Sequence, residues 1–166
     1  AEAAVPDFPN FRLGLNVASA DQRLLVVVSG TEAELQAARK TLPQLSNDAE
    51  ILGKFHYDFE SNPSTWEKAL SGKTAKRGIM IVAPDAFGQK GRVMVRLPLN
   101  SKTADLKKAL LEANATFAKE TPKKVYSEHV SAGRKQGVEW VMPMEYGEDR
   151  DGDGKIDFRG PARRQK

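Results

Sequence analysis

A mixed α/β domain followed by an irregular C-terminal extension is the architecture this sequence predicts. Three observations lead to it. Two continuous apolar runs, LLVVV at residues 24–28 and GIMIVA at residues 78–83, have the length and β-branched character of strands buried on both faces. Between and after them, apolar residues recur at helical spacing behind cap residues. Past residue 122 come an acidic loop flanked by Gly and Pro and then a basic tail.

The elements follow in order. Residues 1–10 carry Pro6 and Pro9 and read as an extended lead-in. Leu13, Leu15 and Val17 alternate with Gly14 and Asn16, the pattern of a short edge strand. The run at 24–28 is a core strand of a parallel sheet, ended by Ser29 and Gly30. Thr31 and Glu34 form a capping box for a helix whose face is Leu35, Ala38 and Leu42, and Pro43 is expected to stop it near Thr41 or Leu42. Phe55, Tyr57 and Phe59 alternate with His56 and Asp58, which gives a second strand. Asn62 and Pro63 start a short helix through Trp66 and Leu70 that Gly72 closes. The run at 78–83 and the segment RVMVRL at 92–97 make a hairpin around a Pro-, Asp- and Gly-rich turn. Leu106, Leu110, Ala113 and Phe117 mark a last helix, closed by Pro122. The expected order is β-α-β-α-β-β-α, with two right-handed crossovers, a hairpin and a covering helix. The expected divisions are a lead-in over residues 1–23, a folded domain over 24–122 and an extension over 123–166.

Composition bounds the chemistry. A chain of 166 residues is expected to form one domain or a domain with an appendage, at roughly 150 residues per domain. It is long enough to bury about two-thirds of its unfolded surface without disulfides. No apolar run approaches the ~20 residues of a membrane-spanning helix. The absence of Cys excludes disulfide scaffolding, thiol catalysis and Cys-ligated metals, and with only His56 and His129 a three-His metal site is excluded as well. The net charge of +4 is unevenly spread. Lys73, Lys76, Arg77, Lys90, Arg92 and Arg96 face a single acid, Asp85, whereas residues 139–157 are strongly acidic. The tail ends on Arg159, Arg163, Arg164 and Lys166 without interleaved aromatics, which argues against single-stranded nucleic acid as a partner.

The element order over about residues 24–118, with its Lys76-Arg77-Gly78-Ile79 approach to the third strand, resembles the thioredoxin fold. The resemblance implies a thioredoxin-like sandwich without thioredoxin chemistry. Where that family carries a CxxC, this chain has Ser29-Gly30-Thr31-Glu32-Ala33, and where the family has its cis-proline after Gly-Ile, Met80 follows Ile79. A thiol–disulfide activity is therefore excluded. Any binding is expected at the sheet edge or in the loops at the strand ends around residues 29–32 and 77–80, where such a scaffold offers a groove.

One motif carries chemistry of its own. Asp149, Asp151 and Asp153 occupy alternate positions, Gly154 follows, and Lys155, Ile156 and Asp157 complete nine residues. Hard Ca2+ takes about six to eight oxygens, and alternate residues of a tight loop aim carboxylates at one centre. Asp149, Asp151, Asp153 and Asp157 would give side-chain oxygens, Lys155 its carbonyl, and Gly154 the sharp turn. The stretch is similar to the first nine positions of an EF-hand loop and to half of a dockerin loop. The twelfth position is Gly160 in place of the bidentate Glu, and Glu145 or Glu148 are candidates to replace its oxygens. An affinity in the weak extracellular range, roughly 10⁻⁴–10⁻³ M, is expected. That affinity, together with a sequence that opens on Ala1 and Glu2 with no initiator Met, predicts an extracytoplasmic address.

His56 and Asp58 lie two apart on one strand face, so their side chains are placed to meet, and His129 stands beside Glu128 in a connector. Trp66 and Trp140 are expected in the core, the glycines of Gly88-Gln-Lys-Gly91 at a hairpin tip, and Asn114-Ala-Thr116 inside a helix where it is no glycosylation acceptor. The reading is a non-catalytic exported binding or structural domain that engages a protein or surface partner and is stabilised by Ca2+. The alternative is an enzyme with a Ca2+/carboxylate site and His56 or His129 as its acid or base.

Overall fold

The six residues of β1 (Leu24–Ser29) are all buried, and they set the architecture of the chain. Leu24, Val26 and Val28 face one way and Leu25 and Val27 the other, as the period of a strand requires, and each set anchors its own hydrophobic cluster. In this computed structural model, which describes residues 4–72, 77–121 and 126–137, β1 lies second in a five-stranded sheet. Its partner β2 (Phe55–Glu60) is parallel to it, and β4 (Gly78–Pro84) is antiparallel on its other side. Beyond β4 come β5 (Gly91–Leu97) and then the short β3 (Leu70–Gly72), giving the order β2-β1-β4-β5-β3. The sheet is therefore mixed rather than parallel, and only β1–β2 is a parallel crossover. The expected second crossover is absent, because the chain returns from β2 to place β4 antiparallel to β1.

The two faces are covered separately. α2 (Glu32–Ser46) and α3 (Thr103–Glu120) bury Leu35, Leu42, Leu106, Leu110 and Phe117 against the β1 residues Leu24, Val26 and Val28. On the other face, Phe11, Leu15 and Ala18 of α1 (Phe11–Asp21) pack with Trp66, Met80 and Val82 on Leu25 and Val27. A final helix, α4 (Tyr126–Lys135), contacts α1. No helix among the described residues is long and apolar enough to cross a membrane.

Four expectations are corrected. Residues 13–17 are not an edge strand; they belong to α1, whose N-terminus is capped by the Asn10 side chain accepting from the Leu13 N–H at 2.8 Å. Phe11 and every residue from Leu13 to Ser19 are buried. A helix covered on nearly all sides has no single apolar stripe, so its pattern also satisfies the period of a strand. Pro43 does not stop α2, which continues to Ser46. In the last turn proline forfeits only the bond to the Arg39 carbonyl, and the continued helix buries Leu45. The Asn47 backbone and side chain both donate to the Pro43 carbonyl, at 3.0 and 2.8 Å. The short helix expected from Pro63 is two 3-10 turns, Pro63–Thr65 and Glu67–Ala69, after which the chain leaves as β3. Asn62 does cap the first turn, accepting from the Ser64 N–H. Finally, the connector holding His129 contains α4, with Glu128 in its first turn and Arg134 and Lys135 in its last, the arrangement that favours the helix dipole.

The remaining strands and helices fall where the sequence places them. Thr31 and Glu34 form the capping box, residues 85–90 make the hairpin turn between β4 and β5, and Trp66 is buried.

Candidate functional site

The junction of β1 with α2 is where the resemblance puts a reactive group. Ser29 is fully buried there, and its hydroxyl has no hydrogen-bond partner among the described residues. The Gly30 N–H donates to the Glu60 carbonyl at 3.3 Å, and a side chain at Gly30 would lie 2.9 Å from Leu99 Cδ1. Thr31 and Glu34 satisfy each other: the Glu34 carboxylate accepts from the Thr31 N–H at 2.9 Å, and the Thr31 hydroxyl accepts from the Glu34 N–H at 3.2 Å. Those bonds hold the Glu34 carboxyl below its usual range. Across from them Arg96 Nε donates to the Arg77 carbonyl at 2.9 Å, and Arg96 Nη2 donates to the same oxygen. The junction is closed by packing and caps, and among the described residues no base contacts the serine.

The concave feature with convergent polar groups lies at the other end of the β1–β2 pair. A cavity of about 310 Å³ opens between the N-terminal segment, the start of β2 and the end of α2. That is the low end of the roughly 300–1,000 Å³ typical of ligand sites. Phe8, Arg23, Asn47, Leu52, Phe55 and His56 contribute to its wall. His56 Nε2 lies 2.8 Å from Asp21 Oδ2, at the end of α1. Facing a carboxylate, Nε2 is the nitrogen that donates in this pair. The Phe8 ring meets the imidazole edge-on, with centroids 5.3 Å apart. Leu52, 61% exposed, stands at the mouth. Arg23 also lines the cavity, and among the described residues no carboxylate pairs with it.

Behind this wall the N-terminal segment is tied to the sheet edge by Asp7. One oxygen accepts from the Phe59 N–H at 3.0 Å and the other from Arg39 at 2.9 Å, while the Arg39 guanidinium lies 4.1 Å from the centroid of the Phe59 ring. Asp58 sits on the same face of β2 as His56, but the two do not join. The carboxylate that meets His56 comes from α1, and Asp58 is completely buried under Gly14. A Cβ at Gly14 would stand 3.6 Å from Asp58 Cβ and 3.3 Å from the Phe8 ring, so glycine there lets α1 approach the sheet. Neither Asp58 oxygen finds a donor. Burial, and then the nearby charges of Glu60 and Asp7, push its pKa up to about 9 against the opposing pull of Arg39. A carboxyl in this state is neutral at pH 7.

No family model, curated protein or solved structure matches this chain. Function must be read from the site.

The calcium loop residues Asp149, Asp151, Asp153, Lys155 and Asp157, the candidates Glu145 and Glu148, the basic tail and Trp140 lie outside the described residues, and so does the side chain of His129. Among the described residues no group of three or more His, Asp or Glu is placed to hold a metal ion. Of the candidate acid–base residues, the structure places His56 in the cavity and Asp58 out of reach beneath α1. Sequence reasoning missed Asp21, Arg23 and Leu52. Asp21 is 35 positions from His56 and meets it only because α1 packs on the face from which His56 projects. Leu52 has no local periodicity to mark it.

Proposed function

We propose that this chain is a non-catalytic binding module, exported from the cytoplasm, on a thioredoxin-like scaffold stabilised by Ca2+ in its C-terminal extension. The scaffold reading is supported by the β1–α2–β2 crossover followed by the β4–β5 hairpin and the covering helix α3, the order that carries the likeness. The departures are the 3-10 turns in place of a second long helix and the added β3. Without cysteine the scaffold has no thiol–disulfide chemistry.

The observation that carries the binding reading is the cavity at the start of β2. It combines an exposed apolar side chain and an arginine with no carboxylate partner among the described residues with carboxylates that are already engaged, Asp7 by Arg39 and Asp21 by His56. Ser46 lines it too, but its hydroxyl donates to the Pro43 carbonyl, so among the described residues no hydroxyl is paired with the imidazole. A second reading is favoured by the 2.8 Å His56–Asp21 pair itself, which would orient His56 as an acid or base in an enzyme. Turnover assays of the full chain with ester, phosphoester and glycoside probes separate the two. Turnover abolished by His56→Gln would establish the enzyme; its absence is the outcome expected of a binding module.

The calcium reading rests on donor chemistry. Three aspartates at alternate positions repel one another by up to about 1 kcal/mol per near pair even in water, a cost that a hard cation removes. At ten times its dissociation constant Ca2+ adds about 1.4 kcal/mol, or roughly 2–5 °C in Tm at this chain length. The expected result is a rise in Ca2+ that Mg2+ does not reproduce and that Asp151→Ala abolishes. An unchanged melt in millimolar Ca2+ would reduce the loop to an acidic turn. The weak affinity expected of such a loop, in the extracellular range, is the support for export.

A further inference from the structure

The segment before α1 is held on the fold by its side chains. Residues 4–10 lie outside any helix or strand. Val5 is buried in the main core, Asp7 accepts from the Phe59 N–H and from Arg39, and the Phe8 ring stands edge-on to His56. The same segment supplies Ala4, Pro6, Asp7 and Phe8 to one wall of the 310 Å³ cavity. A segment without secondary structure sits at the low end of local stability, so a change at one contact shifts its closed population.

Beneath it lies a carboxyl whose surroundings oppose a charge. Asp58 is fully buried, and neither oxygen has a donor among the described residues. Phe8, Gly14 and Asp58 meet at one point, since a Cβ on Gly14 would lie 3.3 Å from the Phe8 ring and 3.6 Å from Asp58 Cβ. Lifting Phe8 therefore opens a way for water toward Asp58 while α1 stays on its apolar cluster. The charged groups that act on Asp58 are Glu60 on its own strand, Asp7 on the segment and Arg39 on α2. Two of these are carboxylates, and Arg39 is already paired with Asp7. β1 alongside has no charged residue, and the charged residues of α1, Arg12 and Asp21, meet Gln89 and His56. An ionised Asp58 would be cut off from water, without a donor and next to like charge.

We infer that residues 4–10 are a pH-gated strap over the cavity, held shut while Asp58 keeps its proton and released when that proton is lost. The inference rests on the binding reading above and names how its cavity is regulated. In the closed form burial, with Glu60 and Asp7 adding to it, pushes Asp58 up to about 9 against the pull of Arg39. An aspartate that water reaches titrates near 3.9, so opening sheds a proton. The opening equilibrium then rises by up to about tenfold per pH unit between about pH 4 and pH 9. The strap is shut in acid and loosens as pH rises.

The sequence has no cysteine, so Val5→Cys in the full chain reports strap opening through its rate of labelling by a maleimide. Each rate is divided by that of the same variant unfolded in urea at the same pH. Ala113→Cys, buried on α3, reports opening of the whole fold in the same way. From about pH 5.5 to about pH 8.5 the protection of Val5→Cys should fall at least about thirtyfold, and Asp58→Asn should hold that fall below about threefold. At each pH Ala113→Cys should stay at least about tenfold better protected, which separates strap release from unfolding. Hydrogen exchange at the Phe59 amide, which Asp7 accepts, repeats the test without a cysteine and decides the matter if Val5→Cys itself loosens the segment. Protection that does not change with pH, an equal fall in Asp58→Asn, or equal protection at the two cysteines would each overturn the strap. Every readout is taken without a ligand, so such a failure removes the gate and leaves the binding reading standing.

Discussion

Asp58 gives the most direct reading of stability at the level of single residues. In an unfolded chain an aspartate titrates near 3.9, whereas in the fold burial moves Asp58 up to about 9. Between those values the native state holds a proton that the unfolded state has lost. The associated stability is therefore fully present below about pH 4 and drains as pH rises toward 9, at up to ~1.4 kcal/mol per pH unit. Urea midpoints should fall between pH 5 and pH 9 in the wild type, and Asp58→Asn, which cannot ionise, should flatten that fall. Equal slopes in the two proteins would mean that Asp58 is ionised in the fold. None of this was legible in the sequence. Asp58 sits in an alternating strand where every second residue is expected to face solvent, and its burial is imposed by α1 lying across that face with Gly14 against it.

Whole elements show why some of the sequence reads cleanly and some does not. The capping box of α2 is local chemistry, complete within Thr31 and Glu34, and it was predicted and found. Thr31→Ala should cost about 1 kcal/mol, read as a shift in the denaturant midpoint with an unchanged slope. The end of α2 depends on tertiary contacts that no local rule contains. Leu45 is buried, and Asn47 satisfies the carbonyl of Pro43. Restoring the missing donor with Pro43→Ala should stabilise the chain by up to about 1 kcal/mol; a loss would show that the restricted backbone of proline in the unfolded chain matters more than the bond. α1 was misread for a related reason, since burial on nearly all sides erases the amphipathic stripe that would identify it. The cavity was only half legible. His56 was a candidate from sequence, but its carboxylate, its arginine neighbour and its exposed leucine come from three other segments.

For the molecule as a whole, the two hydrophobic clusters lie back to back on the same strands. Leu25 and Val27 serve one, and Leu24, Val26 and Val28 the other, so neither layer keeps its support if the sheet is lost. Unfolding should be a single transition. Leu15→Ala beneath α1 and Leu110→Ala on the opposite face should each cost about 2–5 kcal/mol and move the same calorimetric peak. Two resolved peaks in either variant would show that the layers melt independently.

The place of β4 beside β1 also governs what happens during synthesis. β1 emerges early and finds β2 soon afterwards, but its other neighbour lies some fifty residues further on, as the Val27–Met80 pairing shows. At the ~5–20 residues per second of translation, a growing chain holds one flank of its most apolar strand bare for several seconds. Ribosome-bound chains that stop short of β4 are then expected to be digested readily and to recruit holding chaperones. Chains that have delivered the β4–β5 hairpin should resist both. The hairpin, more than any helix, decides when this protein is safe from its own aggregation.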